Sequence, residues 1–235
     1  MKKHFLGIIT SLMITSPTLA EVKLGNFGTL TGNAGVMSEY LWRGIPQNKT
    51  NISPYIGADL ALPKDFYVGV YAAELDAKFE NSGDGTYKNT NKEIDYYFGV
   101  APTFGDFGFD VGYIMFTYKG LGGPQFNANF SEFYGKITYK PDKKPYTVKF
   151  SYFEPDDNKG AQDLKYNEVT GTYDVGFANL ALTHGDYKQN GQLWSFSATK
   201  ELFGVSFTLA YTDPRNYNDD YINDNTLTLQ VHKSF

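Results

Sequence analysis

The sequence predicts an all-β fold: a transmembrane antiparallel up-and-down β-barrel of about twelve strands, with about ten to fourteen compatible with the pattern. Three observations carry this. Apolar and polar residues alternate with period two from about Leu30 to the C-terminus. Breaks rich in Asp, Asn, Gly and Pro interrupt the alternation every ~15–20 residues, the spacing of successive hairpins. The breaks also alternate in length. Short turns therefore collect at one end and longer polar loops at the other, the layout of an outer-membrane barrel.

Ahead of the alternation, residues 1–20 read as an export leader. Lys2 and Lys3 give a charged start, Phe5 to Ile14 a short apolar stretch, and Thr18-Leu19-Ala20 a small-residue cleavage site. Glu21 is then the expected first mature residue, and 21–235 the barrel domain. The apolar stretch is too short to cross a bilayer as a helix. Losing the two lysines makes the mature chain more negative than the −5 of the whole sequence.

Strand centres are expected near Val36, Ile56, Val70, Phe98, Val111, Tyr134, Phe150, Thr170, Ala181, Phe196, Phe207 and Leu229. Short turns fall at Pro63-Lys64-Asp65, Gly105-Asp106, Pro141 to Lys144, Gly176 and Phe203-Gly204. The mostly longer connections fall at Gly44 to Asn51, Glu80 to Asn91, Gly120 to Ala128, Pro155 to Leu164, Lys188 to Gly191 and Asp213 to Tyr221.

The faces sort as well. Phe107, Phe109, Val111, Tyr113 and Met115 share one side of the fifth strand, against Gly108, Asp110 and Gly112. Val205, Phe207, Leu209 and Tyr211 oppose Ser206, Thr208, Ala210 and Thr212. Ile94, Tyr96, Phe98 and Val100 oppose Asp95, Tyr97, Gly99 and Ala101. The third and ninth strands follow the pattern less cleanly. The bulky face suits acyl chains, the small or polar face a watery lumen, and Tyr and Phe near strand ends an interfacial girdle. The last strand alternates through Leu227, Leu229 and Val231 and ends on Phe235, like the C-terminal strand of bacterial outer-membrane proteins, whose terminal Phe helps recognition by the barrel-assembly machinery.

Composition narrows the function. With no cysteine, disulfides and thiolate metal sites are excluded. A net charge of −5 argues against a nucleic-acid partner. Nineteen Tyr, 19 Phe and 24 Gly favour β-structure with tight turns over a helix bundle.

The run Thr31-Gly32-Asn33-Ala34-Gly35-Val36-Met37-Ser38-Glu39-Tyr40-Leu41-Trp42-Arg43-Gly44-Ile45-Pro46-Gln47 resembles the opening of the TorF family of porins. Tyr55 to Leu60, Phe66 to Tyr71, Glu93 to Tyr96 and Gly112-Tyr113 continue the likeness, which covers roughly residues 30 to 118. Glu39 stands where the family has Asp, and Pro46 where it has Ser or Gln. The resemblance implies an outer-membrane barrel and lends some support to transport. It assigns no functional residues.

Residues on the small or polar faces form the candidate lumen set: Asn33, Glu39, Arg43, Asp59, Asp95, Asp110, Glu132, Lys136, Lys149, Glu168 and Asp174. Arg or Lys at mid-depth on the lipid face costs ~2–4 kcal/mol, so these groups should face inward, the loops or the interface. Arg43 follows Glu39 by four, so in a continuous strand the two would pair near the outer rim. His184 and His232, with Ser195, Ser197 and Ser206 on nearby strands, leave a barrel hydrolase open, but no G-x-S-x-G elbow exists. No metal site or cofactor is expected; the loops Glu154 to Asn158 and Asp213 to Asn225 miss EF-hand spacing. The expected function is passive diffusion of ions or small hydrophilic solutes through a weakly cation-preferring porin-like channel. Its surroundings would be outer-membrane lipid and lipopolysaccharide. The alternative is a structural or surface-interaction barrel with a plugged lumen.

Overall fold

The computed structural model describes residues 21–48, 51–80, 87–120, 129–156, 165–188, 191–217 and 224–235. The expected leader lies outside them, as do residues 81–86, 121–128, 157–164 and 218–223 of the long connections. Twelve strands build the wall: β1 (Thr29–Met37), β2 (Ser53–Ala61), β3 (Phe66–Glu80), β4 (Tyr87–Val100), β5 (Phe107–Gly120), β6 (Phe130–Tyr139), β7 (Tyr146–Pro155), β8 (Tyr166–Asp174), β9 (Asn179–Tyr187), β10 (Gly191–Leu202), β11 (Val205–Arg215) and β12 (Thr226–Ser234). Every expected strand centre falls inside its strand. Each strand pairs antiparallel with its sequence neighbours, and β12 closes on β1 from Gln230↔Met37 to Ser234↔Asn33. Closure leaves no sheet edge, the condition for a sheet to cross a bilayer.

Phe235 completes the seam. Its N–H donates to the Gly32 carbonyl (2.8 Å) and its carbonyl accepts from the Gly32 N–H (2.6 Å). Its ring occupies the space a side chain at Gly32 would need. At the short-turn end, Phe203 and Gly204 have φ of 56° and 72°, the two positive values required by a two-residue turn of type I′. Phe66, Phe104, Phe107, Tyr173 and Phe177 stand exposed near the same end, as an interfacial girdle requires.

One connection departs from expectation. β3 and β4 stay paired out to Glu80↔Tyr87, well into the stretch expected as a loop. Register shifts between Glu74 and Ala77, and between Thr90 and Lys92, absorb the irregularity and let the ladder resume. The β9–β10 connection, residues 188–190, is as short as the turns opposite.

The outer face is the bulky one. Ile56, Phe98, Val111, Phe133, Leu182, Phe196 and Leu209 are all exposed, Val111 at 60%. So continuous an apolar surface suits lipid and not water. The inner face is not uniformly small, and here the expectation of a watery lumen is corrected. Tyr55, Tyr67, Tyr71, Tyr97, Ile114, Phe116, Tyr118, Tyr134, Tyr166 and Tyr187 are buried inside. Glycines make room for them: a side chain at Gly35, Gly69, Gly99, Gly112 or Gly185 would collide with Tyr55, Tyr97, Tyr67, Tyr134 or Tyr166 on the neighbouring strand. The sheet's glycines are thus sockets for cross-strand tyrosines. These tyrosines fill the half bounded by β2–β8, while β9–β12 present mostly Ser, Thr and Ala inward.

Two outcomes follow from the wall. Val111→Arg or Leu209→Arg should destabilise by ~2–4 kcal/mol if near the midplane, and Thr208→Ala on the inner face by less. Denaturant titration in vesicles checks this, and equal costs on both faces would contradict the assignment. Deleting Phe235 removes both backbone bonds to Gly32 and should lower the heat-modifiable folded fraction on gels; unchanged yield would count against its role in closure.

Candidate functional site

The lumen is shaped by the chain leaving β1. Ser38 still follows the wall, its N–H donating to the Leu229 carbonyl (2.8 Å) while its Oγ accepts from the Leu229 N–H (2.9 Å). The chain then turns inward and forms a small hairpin, Leu41–Trp42 against Ile45–Pro46. Its tip is Arg43-Gly44, with φ of 51° and 80°, again two positive values. Gly44 takes this conformation freely, whereas Arg43 is held in it by its contacts. The neck is tied by the Gln47 N–H on the Tyr40 carbonyl (2.7 Å), the Tyr40 N–H on Asn48 Oδ1 (2.8 Å) and the Asp76 N–H on the Gln47 carbonyl (3.0 Å).

Arg43 anchors the hairpin. Its guanidinium donates two bonds to the Glu132 carboxylate, at 2.8 and 2.6 Å, a bidentate fork with both residues buried. The same guanidinium lies over the rings of Trp42 (4.4 Å), Phe153 (4.6 Å), Tyr166 (4.6 Å) and Tyr187 (5.6 Å). Cation–π attraction supplements the ion pair where water is excluded. Trp42 packs edge-on to Phe116, Phe130 and Tyr187, with centroids 5.7–6.0 Å apart. The Tyr40 hydroxyl donates to Glu93 Oε1 (2.6 Å), and the Tyr217 hydroxyl to the Arg43 carbonyl (2.7 Å).

The expected Glu39–Arg43 pair is therefore replaced by Arg43–Glu132. The i,i+4 argument assumed one continuous strand, and the chain bends at Ser38-Glu39 and reverses at Arg43-Gly44. Glu39 lines the cavity beside the hairpin instead. Asp110 and Lys136 form a buried ion pair (3.1 Å), with the Tyr67 hydroxyl also on Asp110 (2.6 Å). Lys149 approaches Glu168 at 3.7 Å, and Glu168 also accepts from Tyr166 (3.1 Å) and Thr170 (3.3 Å). Asp59 accepts from the Tyr97 hydroxyl (2.5 Å). Asp95 is buried two residues from Glu93 on the same inward face. Asn33 is buried in β1. Asp174, expected in the lumen, is exposed at the turn, where its Oδ1 accepts from the Gly176 N–H (2.7 Å).

The histidines are apart. His184 faces outward, stacked on Trp194 at 4.4 Å, whereas His232 lies within hydrogen-bond distance of the Tyr55 and Ser234 hydroxyls (2.8 and 3.0 Å). Ser195 bonds Thr212 (3.1 Å). Among the described residues no cluster of three or more His, Asp or Glu could hold a metal ion.

Between the hairpin and the β9–β12 wall lies a cavity of about 80 Å³, bounded by Glu39, Tyr40, Leu41 and Gly44 on one side and Thr183, Ser195, Thr208, Thr212, Thr228 and Gln230 on the other. Sequence reasoning missed the cage of Trp42, Phe153, Tyr166 and Tyr187. A signal was present: Tyr40 and Trp42 alternate up to a glycine-containing turn and then to Ile45, a hairpin pattern inside a stretch read as strand end and loop.

Glu132→Ala would strand a buried guanidinium, at a cost of ~3–5 kcal/mol. The hairpin can withdraw while the barrel keeps its ladders. The loss should thus appear as faster amide exchange at Gln47 and Asp76, with little change in the barrel's denaturation midpoint. Unaltered exchange at both amides would contradict the anchoring role.

The fold has solved counterparts. The KdgM porin superposes with a TM-score of 0.56 at 6% identity, over 88% of this chain and 98% of that one. The COG4313 outer membrane channel from Pseudomonas putida F1 gives 0.49 at 11%, over 94% and 100%. Outer membrane phospholipase A from Escherichia coli gives 0.47 at 12%, over 87% and 91%. At these identities the likeness to the KdgM porin speaks to the barrel fold, and the two lower scores carry no argument. No curated protein sequence matches the chain. Residues 25–235 fit the model of Gcw_chp, a bacterial protein family of unknown function, and the chain belongs to that family.

Proposed function

We propose that the protein is a porin-like channel of the bacterial outer membrane, passing ions and small hydrophilic solutes by passive diffusion through the space the hairpin leaves beside β9–β12. The observation that carries this is the cavity left between hairpin and wall, where Thr183, Ser195, Thr208, Thr212, Thr228 and Gln230 join the apolar lining residues. A barrel whose interior served only as a core would be expected to close such a space with apolar side chains. The apolar outer band and the leader-like N-terminus support an outer-membrane location among lipid and lipopolysaccharide. The terminal Phe235 supports delivery by the barrel-assembly machinery.

Charge gives the channel a weak preference for cations. Asp59, Glu93, Asp95, Asp110, Glu132 and Glu168 are buried carboxylates in the wall. Arg43, Lys136 and Lys149 match three of them. The surplus raises the local cation concentration in a narrow low-dielectric lumen. At physiological salt the Debye length is ~8 Å, long enough to act across it.

A second reading, a plugged structural or surface-interaction barrel, is favoured by one observation: hairpin and tyrosines fill the β2–β8 half. Planar-bilayer recording separates the two. We expect a small reversal potential of cation-selective sign across a salt gradient, shrinking as salt rises. Replacing Asp95 and Asp110 together by Asn should reduce it. Anion preference would defeat the charge argument, and a folded protein without conductance would favour the plugged barrel.

A further inference from the structure

We infer that the cavity beside the hairpin is a binding site for neutral polyhydroxylated solutes, from glycerol to hexose size, and that such molecules are the channel's preferred cargo; this rests on the channel reading above. The barrel side of the cavity sets uncharged hydrogen-bonding groups in register among the apolar side chains of Met37, Leu193, Ala210 and Leu229. Thr183, Ser195 and Thr212 are successive cross-strand partners, and Thr208 is the partner of Gln230. Hydroxyl pairs join the strands at Ser195–Thr212 (3.1 Å) and Thr199–Thr208 (2.8 Å). Each such pair uses one proton and one lone pair, leaving the remaining proton and lone pairs for a ligand.

The facing side supplies the complement. Tyr40 and Tyr71 bring aromatic surface and Leu41 apolar surface, while the only charged lining group among the described residues is Glu39. Among the described residues no Lys or Arg lines the cavity. An ion entering it gives up hydration for hydroxyls that carry no net charge. A polyol exchanges water for hydroxyls one bond at a time, and its C–H faces pack on the aromatic rings. The volume, about 80 Å³, corresponds to roughly two to three waters at ~30 Å³ each, so the site engages a few hydroxyl groups of a passing polyol at a time. The charged side chains of the lumen wall lie mainly on the other half, paired with each other or bonded by tyrosines, so the two walls have different work. The first sets the electrostatic background and the second reads the solute.

The test is swelling of liposomes containing the purified, heat-modifiable protein, in glucose, glucosamine and gluconate, which are similar in size but neutral, cationic and anionic. Glucose should enter fastest. The double variant Thr208→Val with Thr212→Val keeps side-chain volume and removes two cavity hydroxyls, and should lower the glucose-to-glucosamine rate ratio about two- to tenfold. In the wild type, glucose should also reduce ion current saturably in a planar bilayer, a measurement that needs no variant to fold. Conductance with glucose no faster than glucosamine, with an unchanged ratio in the variant, or with no saturable block would overturn this inference and leave the channel reading standing. No conductance and no swelling with any solute would overturn both.

Discussion

A guanidinium inside a membrane barrel must be given a carboxylate or be expelled, and the placement of Arg43 follows from that constraint. The turn at Arg43-Gly44 points the side chain away from water, and Glu132 on β6 supplies both acceptor oxygens at 2.6 and 2.8 Å. The rings around the pair exclude water and strengthen it. Once this contact is made, the segment from Tyr40 to Gln47 has to lie within the barrel. The positions of Tyr40 on Glu93, Trp42 among Phe116, Phe130 and Tyr187, and Tyr217 on the Arg43 carbonyl then follow.

The hairpin leans on one side only. Toward β4–β8 it meets large aromatic side chains and the buried carboxylates. Toward β9–β12 it touches Tyr187 and Leu193, but elsewhere faces Ser, Thr, Ala and Gln, too small to fill the gap, and the cavity is what remains. Twelve strands fall between the eight whose interior side chains just fill and the sixteen or more that leave an open aqueous channel. At that size, the division of the lumen between tyrosines and hydroxyls decides how much of it is open, and strand number alone does not. The Tyr-on-Gly sockets give the filled half its rigidity: each ring rests on the backbone of the next strand, and its hydroxyl meets Asp59, Asp110, Glu168, His232 or another tyrosine.

Most of the wall was legible in the sequence because its signal is local. Alternation with period two placed Val111 and Leu209 outside and Asp110 and Thr208 inside, and the turn residues at Pro63 to Asp65 and Phe203-Gly204 marked the reversals. The lumen was not legible in the same way. Alternation put Tyr97 on the inner face, but that it lies over Gly69 depends on which strand is beside it. Arg43 finding Glu132, 89 residues away, depends on a loop turning into the barrel. The candidate lumen set therefore contained both members of this pair, and of Lys136–Asp110 and Lys149–Glu168, without the pairings. It also included Asp174, which the periodicity alone pointed inward although the strand ends there. The hydroxyls of β10 and β11 were seen as small and polar, but their meaning as a surface came only from register.

Arg43 holds the hairpin in the lumen through Glu132 and the surrounding rings. Single-channel conductance of Arg43→Ala beside the wild type tests it most directly. Freed of its carboxylate and its ring contacts, the hairpin should leave the lumen for part of the time, giving a larger and noisier conductance than the wild type at the same salt and voltage. A variant that is folded, heat-modifiable and indistinguishable from wild type in both amplitude and noise would contradict the account.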